Sequence, residues 1–263
     1  MSEIEIVKGV VLGWALASAG KVALAPAEAI AEYARERIKN RLDRIHQNAE
    51  AKARGRRLDV PDRLLFKVLA EGAFTDDAVA TDYLGGVLAA SGPNDDAGAA
   101  IVAQIGRLSS RQLRFHYVVY REIRRLWHDA SLNLYEGAEA QRAAIRLSRP
   151  DLEAALADEQ LFEIGSVVLA LARENLIGDR YHYGPPEDDP SAAEEDGRWP
   201  LQVAPSALGS ELFLWGNGVR GNANALVDPA SDLQFLAELP PTPGVALVTP
   251  PTPQPPGRQA SER

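Results

Sequence analysis

Between Ile30 and Ala49 the apolar or small residues fall at Ile30, Ala34, Ile38, Leu42, Ile45 and Ala49, at steps of four and once three. That period belongs to one face of an α-helix and is incompatible with the alternation of a strand. The remaining positions carry Arg35, Arg37, Lys39, Arg41 and Arg44 with Glu32, Glu36 and Asp43. Glu32 reaches Arg35 and Glu36 reaches Lys39 three residues on, the spacing at which opposite charges support a helix. A long charged surface helix with one buried stripe therefore sets the fold class as mainly α.

The following segments keep the pattern. Gly55 and Pro61 bracket a break. Asp59 suits a cap there, with Pro61 at the first helical position, and LLFKVLAEGAF reads as a short buried helix. Asp76 and Asp77 suit the first turn of the next helix, whose apolar face is Val79, Tyr83, Leu84, Val87 and Leu88. Gly85 and Gly86 at its centre allow a second helix to pass close or mark a kink. GPNDD at 92–96 is a turn, and AGAAIVAQIGRL resumes the helical pattern. Ser109 or Ser110 caps RQLRFHYVVYREIRRLW. After a loop around 129–136 come AEAQRAAIRL and a short helix started by Pro150. The stretch LFEIGSVVLALARENLI follows, and Gly178 looks like its C-terminal stop.

Beyond it, YHY and LQV read as two short strands around the acidic PPEDDPSAAEEDG, with SALGSELFLWGNG as a closing helix. With the helices at 110–127 and 151–177, these elements suggest a winged-helix-like unit holding a two-stranded hairpin. Its wing is acidic where a duplex-contacting wing is basic, so phosphate repulsion opposes groove contact. Eight prolines between Pro240 and Pro256 exclude a packed helix there and oppose central strand pairing. We accordingly divide the chain into an apolar N-terminal segment (1–23), a helical domain (24–148), a winged-helix-like unit (149–218) with its acidic loop at 185–198, and a flexible Pro-rich tail (219–263).

The N-terminal stretch GVVLGWALASAG at 9–20 has twelve residues, against roughly 20 needed to cross a bilayer. The two Glu of MSEIEIVKG do not make the basic start of a signal peptide. Gly9, Gly13 and Ala17, four apart, favour close helix approach or self-association. A cytoplasmic protein is the expectation, with peripheral membrane contact through this segment as the second reading.

Catalytic signatures are missing. The chain has no Cys, which excludes disulfides, thiolate metal sites and a cysteine nucleophile. Its histidines, His46, His116, His128 and His182, form no HExxH, and neither GxSxG nor GxxxxGK[ST] occurs. GNGVRGNANA at 216–225 lacks the Rossmann spacing. Asp76/Asp77, Asp95/Asp96 and Asp188/Asp189 fit helix starts and turns better than an acid–base pair. We expect no enzyme, no cofactor and no metal.

Charge is the better guide to function. Nine basic residues lie between Arg35 and Arg57, opposed by three acidic ones, a local +6 in a chain of −9. The candidate interaction surface is Arg35, Arg37, Lys39, Arg41 and Arg44, with Arg114 and Arg121 from a second basic set that surrounds Tyr117, Tyr120 and Trp127. The acidic excess elsewhere disfavours extended polyanions. A protein partner or self-association is therefore expected first, an anionic membrane surface second and nucleic acid third.

Three pieces, PAEAIAEYARERIKNRLDRI, VPDRLLFKVLAEGAFTDDAVATDYLGGVLAAS and AAIVAQIGRLSSRQLRF with its LSSRQ at 108–112, resemble a bacterial family named after abortive-infection protein alpha. The resemblance spans about residues 24–215 and rests on packing and capping patterns. The chain departs from the family pattern at Gly85 and Gly86, in the acidic insert and in the Pro-rich tail. The resemblance implies a helical domain with a role in anti-phage defence and transfers no catalytic residue.

Overall fold

The computed structural model describes residues 27–75, 77–93, 97–156, 164–183, 201–236, 242 and 245–247. The expectations for segment 9–20, Asp76, the Asp95/Asp96 and Asp188/Asp189 pairs and the acidic loop at 185–198 lie outside them. The described helices are α1 (Ala27–Ala53), α2 (Asp62–Gly72), α3 (Ala78–Ala90), α4 (Ala97–Arg107), α5 (Ser110–Trp127), α6 (Gly137–Arg142), α7 (Arg149–Leu156), α8 (Ile164–Arg173) and α9 (Ala207–Gly216). Four short strands accompany them, β1 (Ile145–Leu147), β2 (His182–Tyr183), β3 (Leu201–Val203) and β4 (Ala246–Leu247), with a 3-10 turn at Ala223–Leu226.

The helix α3 lies at the centre, buried from Val79 through Ala90. Its sequence AVATDYLGGVLAA carries no polar face, so it is surrounded rather than half-exposed. Asp77 starts it by accepting a hydrogen bond from the Ala80 amide at 3.0 Å. The helix α1 packs along one side through Ile38, Leu42, Ile45, Ala49 and Ala53; of the predicted stripe, Ile38 to Ala49 are buried, Ala34 is half-buried and the side chain of Ile30 lies outside the described ones. The glycine pair explains how α3 accommodates two close neighbours. A Cβ on Gly85 would lie 2.9 Å from the Ile45 carbonyl oxygen of α1, and one on Gly86 would lie 1.9 Å from that of Gly216 in α9. Consecutive residues point about 100° apart on a helix, so each glycine admits a different partner.

The second organising helix, α5, begins with a capping box in which Ser109 and Gln112 each bond the other's backbone amide. It buries Leu113 and then everything from Phe115 to Arg124. Tyr117 and Tyr120 pack on Phe213 of α9 at ring separations of 5.5 and 5.9 Å. Two predicted helix ends shift. No side chain caps α2, which starts after Pro61. The turn ending α8 is made at Asn175, in the left-handed region at φ 55°, and not at Gly178.

The strands form one antiparallel sheet in the order β2-β3-β1-β4. Ile145 lies opposite Val203 on one side and Leu247 on the other. The expected YHY/LQV hairpin is its β2/β3 edge. The sequence reading contains neither β1 nor β4. Helix α6 ends at Arg142 because Ile145 and Leu147 are claimed by the sheet. The described residues beyond 219 are also more than a tail. Ala223, Leu226, Val227, Thr242 and Val245 are buried, and β4 pairs with β1 despite the surrounding prolines. The pairing falls on Ala246 and Leu247, both of which keep an amide.

Candidate interaction surface

Lys52, His116 and Tyr120 are buried polar groups that hold separate elements together. Lys52 of α1 places its ammonium 2.6 Å from the Asp82 carboxylate, 3.0 Å from the Asp82 carbonyl oxygen and 2.6 Å from that of Gly216. One side chain thus ties α1, α3 and α9 and uses all three of its donors. Burial lowers the Lys52 pKa, and the Asp82 charge and hydrogen bond pull it back up.

His116 is sealed in the core. Its Nε2 lies 3.2 Å from the Gly209 carbonyl oxygen, which only accepts, so Nε2 carries the hydrogen. Its Nδ1, 2.8 Å from the Tyr83 hydroxyl, therefore accepts from that hydroxyl. Burial depresses its pKa to about 3, against the Gly209 hydrogen bond that raises it. The Tyr120 hydroxyl donates to the Leu176 carbonyl and accepts from the Ser206 amide, both at 2.9 Å, and burial raises its pKa to about 12. A general base needs reach to a substrate proton, and these groups are spent on one another.

The seven predicted surface residues divide. Arg35 is exposed and pairs with Glu32 at 3.4 Å. Lys39 and Arg44 are exposed on the same helix. Arg37 sits 5.5 Å over the Tyr33 ring and donates to its hydroxyl at 3.1 Å. Arg41 donates to the Ala73 carbonyl at 2.7 Å. Arg114 is half-buried, 3.5 Å from the Asp77 carboxylate. Arg121 does not belong to a surface: it is 7% exposed and pairs with Glu122 at 3.0 Å. Its guanidinium sits in the core because Glu122, shared with Arg125, and the Thr242 hydroxyl supply its acceptors.

Tyr33, Arg37 and Arg41 stand four residues apart on α1, and the stripe ends at Ala73. Immediately beyond lies a groove of about 340 Å³ between α2 and α4, lined by Phe66, Lys67, Ala70, Glu71, Phe74, Val102 and Ala103. Phe66 is 40% exposed and Phe74 62%. Across from them α4 shows solvent only small residues before its terminal Arg107: Ala97, Ala100, Ala103 and Gly106. The Glu71 carboxylate turns onto α4, where a Cβ on Gly106 would meet it at 2.7 Å.

The sequence reading placed LLFKVLAEGAF in the core as a whole. In the fold Leu64, Leu65, Val68 and Leu69 do face inward. They fill a complete helical stripe, which leaves Phe66, Ala70 and Phe74, four apart, to the other side. That surplus of apolar residues over one face was the available signal.

Comparison with protein-family models, curated proteins and solved structures found no match. Among the described residues no cluster of His, Asp and Glu is arranged to hold a metal, and no helix is long and apolar enough to cross a membrane.

Proposed function

We propose that this chain is a non-enzymatic protein-interaction module whose docking face is the α2/α4 groove. The observation that carries the reading is the pair of exposed phenylalanines lining one small-residue groove, whereas the other exposed aromatics of the described residues, Tyr33, Tyr135 and Phe235, do not line it. Exposed apolar clusters of this kind mark contact sites. Anti-phage defence, in the cytoplasm, is the setting we propose from the resemblance to the abortive-infection alpha family.

The sheet order supports a winged-helix-like unit running from α5 to β3, with β1 and β3 paired around α7 and α8. In that comparison α8 takes the recognition-helix position. Its exposed residues are Gly165, Ser166, Leu169 and Arg173, one cation among uncharged side chains. A helix with that face and an acidic wing sequence favours protein contact over a phosphate backbone.

The test places a photo-crosslinking amino acid at Ala103 in living cells, with and without Phe66→Ser and Phe74→Ser. Discrete crosslinked products that vanish in the double variant are expected, while its stability changes by no more than about 0.5 kcal/mol per site, as for surface substitutions. The same products from both proteins would remove the groove as the docking face. Retention of labelled duplex DNA at low salt, abolished by Arg173→Ala, would favour the nucleic-acid reading instead.

A further inference from the structure

We propose that the face formed by β1 and α5 is an acceptor for an extended segment, filled in one chain by its own residues 242–247 and exchanged reciprocally between two copies of the chain. This face shares no residue with the α2/α4 groove.

The acceptor is built from a strand edge and three charged side chains. The strand β3 covers one edge of β1, and on the other Ile145 lies opposite Leu247 and Arg146 opposite Ala246. On α5, which packs against β1, Arg121 pairs with Glu122 at 3.0 Å and Arg125 reaches the same carboxylate at 2.6 Å. The segment completes this cluster. Arg121 donates to the Thr242 hydroxyl and Arg125 to the Val245 carbonyl oxygen, each at 3.4 Å. The Val245 amide donates to the Thr242 carbonyl oxygen at 3.3 Å, across Pro243 and Gly244, residue types suited to the middle of a turn. Thr242 and Val245 are buried. Without the segment, β1 would present an unpaired edge and the buried Arg121–Glu122 pair would lose a cover. An identical segment from a second copy fills the place with the same contacts.

The hold is slight and the tether is stiff. The ladder has two residues, and both guanidinium contacts are at the long end of hydrogen-bond range. The tether runs from Leu236, whose amide donates to the Tyr117 hydroxyl, through the five residues 237–241. Leu239 and Pro240 each precede a proline, which favours extended conformations for both and opposes a tight return onto the same bundle. Because the contacts are identical in either arrangement, effective concentration decides between them, and for a short tether it lies near millimolar.

Proline also limits the assembly. Pro240, Pro241 and Pro243 stand before β4 and Pro250 and Pro251 after it, and none supplies a ladder donor. The free side of β4 is thus too short and interrupted to recruit a third strand. Reciprocal exchange closes a two-fold pair instead of propagating a fibre.

The chain has no cysteine, so introduced ones report on pairing directly. Facing residues of an antiparallel pair stand at disulfide distance. In a single full-length chain carrying both Arg146→Cys and Ala246→Cys, oxidation should close an intramolecular bridge, which checks that both substitutions leave β4 paired with β1. Full-length Arg146→Cys and Ala246→Cys chains are then mixed at about millimolar concentration, near the tether's own, and oxidised. A covalent heterodimer is expected at several times the yield of Arg146→Cys mixed with Ser261→Cys, which measures chance collision with the chain end. That yield should fall on dilution, and unoxidised protein should sediment as monomer and dimer.

An intramolecular bridge beside a heterodimer no more abundant than the collision control would overturn the exchange and make 242–247 a fixed part of one chain. No bridge in either experiment would overturn the acceptor itself. Species larger than a dimer, growing with concentration, would overturn the closed pair.

Discussion

At the residue scale the core is unusual in burying histidine and lysine as well as tyrosine, and each has a defined electrostatic consequence. His116 is neutral in the folded protein because its pKa is depressed from 6.5 to about 3. Once unfolded, the same imidazole binds a proton below pH 6.5. Between about pH 3 and 6.5 the unfolded state therefore holds one more proton, and stability rises with pH by about 1.4 kcal/mol per unit from this group. It is fully present above the unfolded pKa and lost on acidification. His116→Gln removes the titration while keeping an amide to meet Gly209 or Tyr83. We expect the variant to be less stable at pH 7.5, and its loss of stability from pH 6.5 to 4.5 to be shallower than in the parent. Denaturant titrations at several pH values check this, and parallel slopes would show that His116 is not the group responsible. The sequence could not reveal this pairing. His116 stands beside aromatics in FHYVVY, but Tyr83 and Gly209 are 33 and 93 residues away, and no local pattern encodes such convergence.

At the element scale the most legible features are those with a period or a local bond. The α1 stripe, the Ser109 start of α5 and the Asp77 start of α3 all follow from spacing or capping chemistry within a few residues. Gly85 and Gly86 were legible only as an alternative between a kink and a close approach. The fold chooses close approach twice, because α1 and α9 claim two directions separated by one helical step. Gly86→Ala should be severe, since its Cβ would fall inside the Gly216 carbonyl, a backbone group that cannot rotate away. We expect a loss of about 3 kcal/mol or more, at the upper end for overpacking. The shift of α9 should also disturb Lys52, which bonds the same carbonyl. Thermal unfolding of the variant measures the first effect, and an unchanged midpoint would refute the close approach. The strands β1 and β4 escaped sequence reading for the opposite reason. Two- and three-residue segments have too little length for alternation to register, and β1 and β4 exist only through pairing with partners distant in sequence, Ile145 with Val203 and Leu247.

At the scale of the whole molecule the stretch after α9 departs furthest from what its composition suggests. The proline run that forbids regular structure begins at Pro240, whereas between 219 and 239 the only proline is Pro229. That preceding stretch is bound to the bundle from several directions. Arg124 of α5 donates to the carbonyls of Leu226, Asp228 and Ser231 at 2.9, 2.7 and 2.6 Å. The Tyr117 hydroxyl accepts from the Leu236 amide at 2.6 Å, and Arg54 of α1 pairs with Asp232. The acceptors of Arg124 are backbone carbonyls, which no residue-type pattern announces. A guanidinium, with five donors in a fixed fork, is suited to collecting three of them. Arg124→Met keeps much of the apolar stem and removes every donor. Amide exchange at 222–236 should accelerate by tenfold or more, since roughly 1.4 kcal/mol of lost local stability suffices, while the buried amides of α3 keep their protection. Acceleration spread evenly over the molecule would mean that the segment opens only with the bundle. In that case Arg124 would belong to the global core, and residues 222–236 would be as integral to folding as α5 itself.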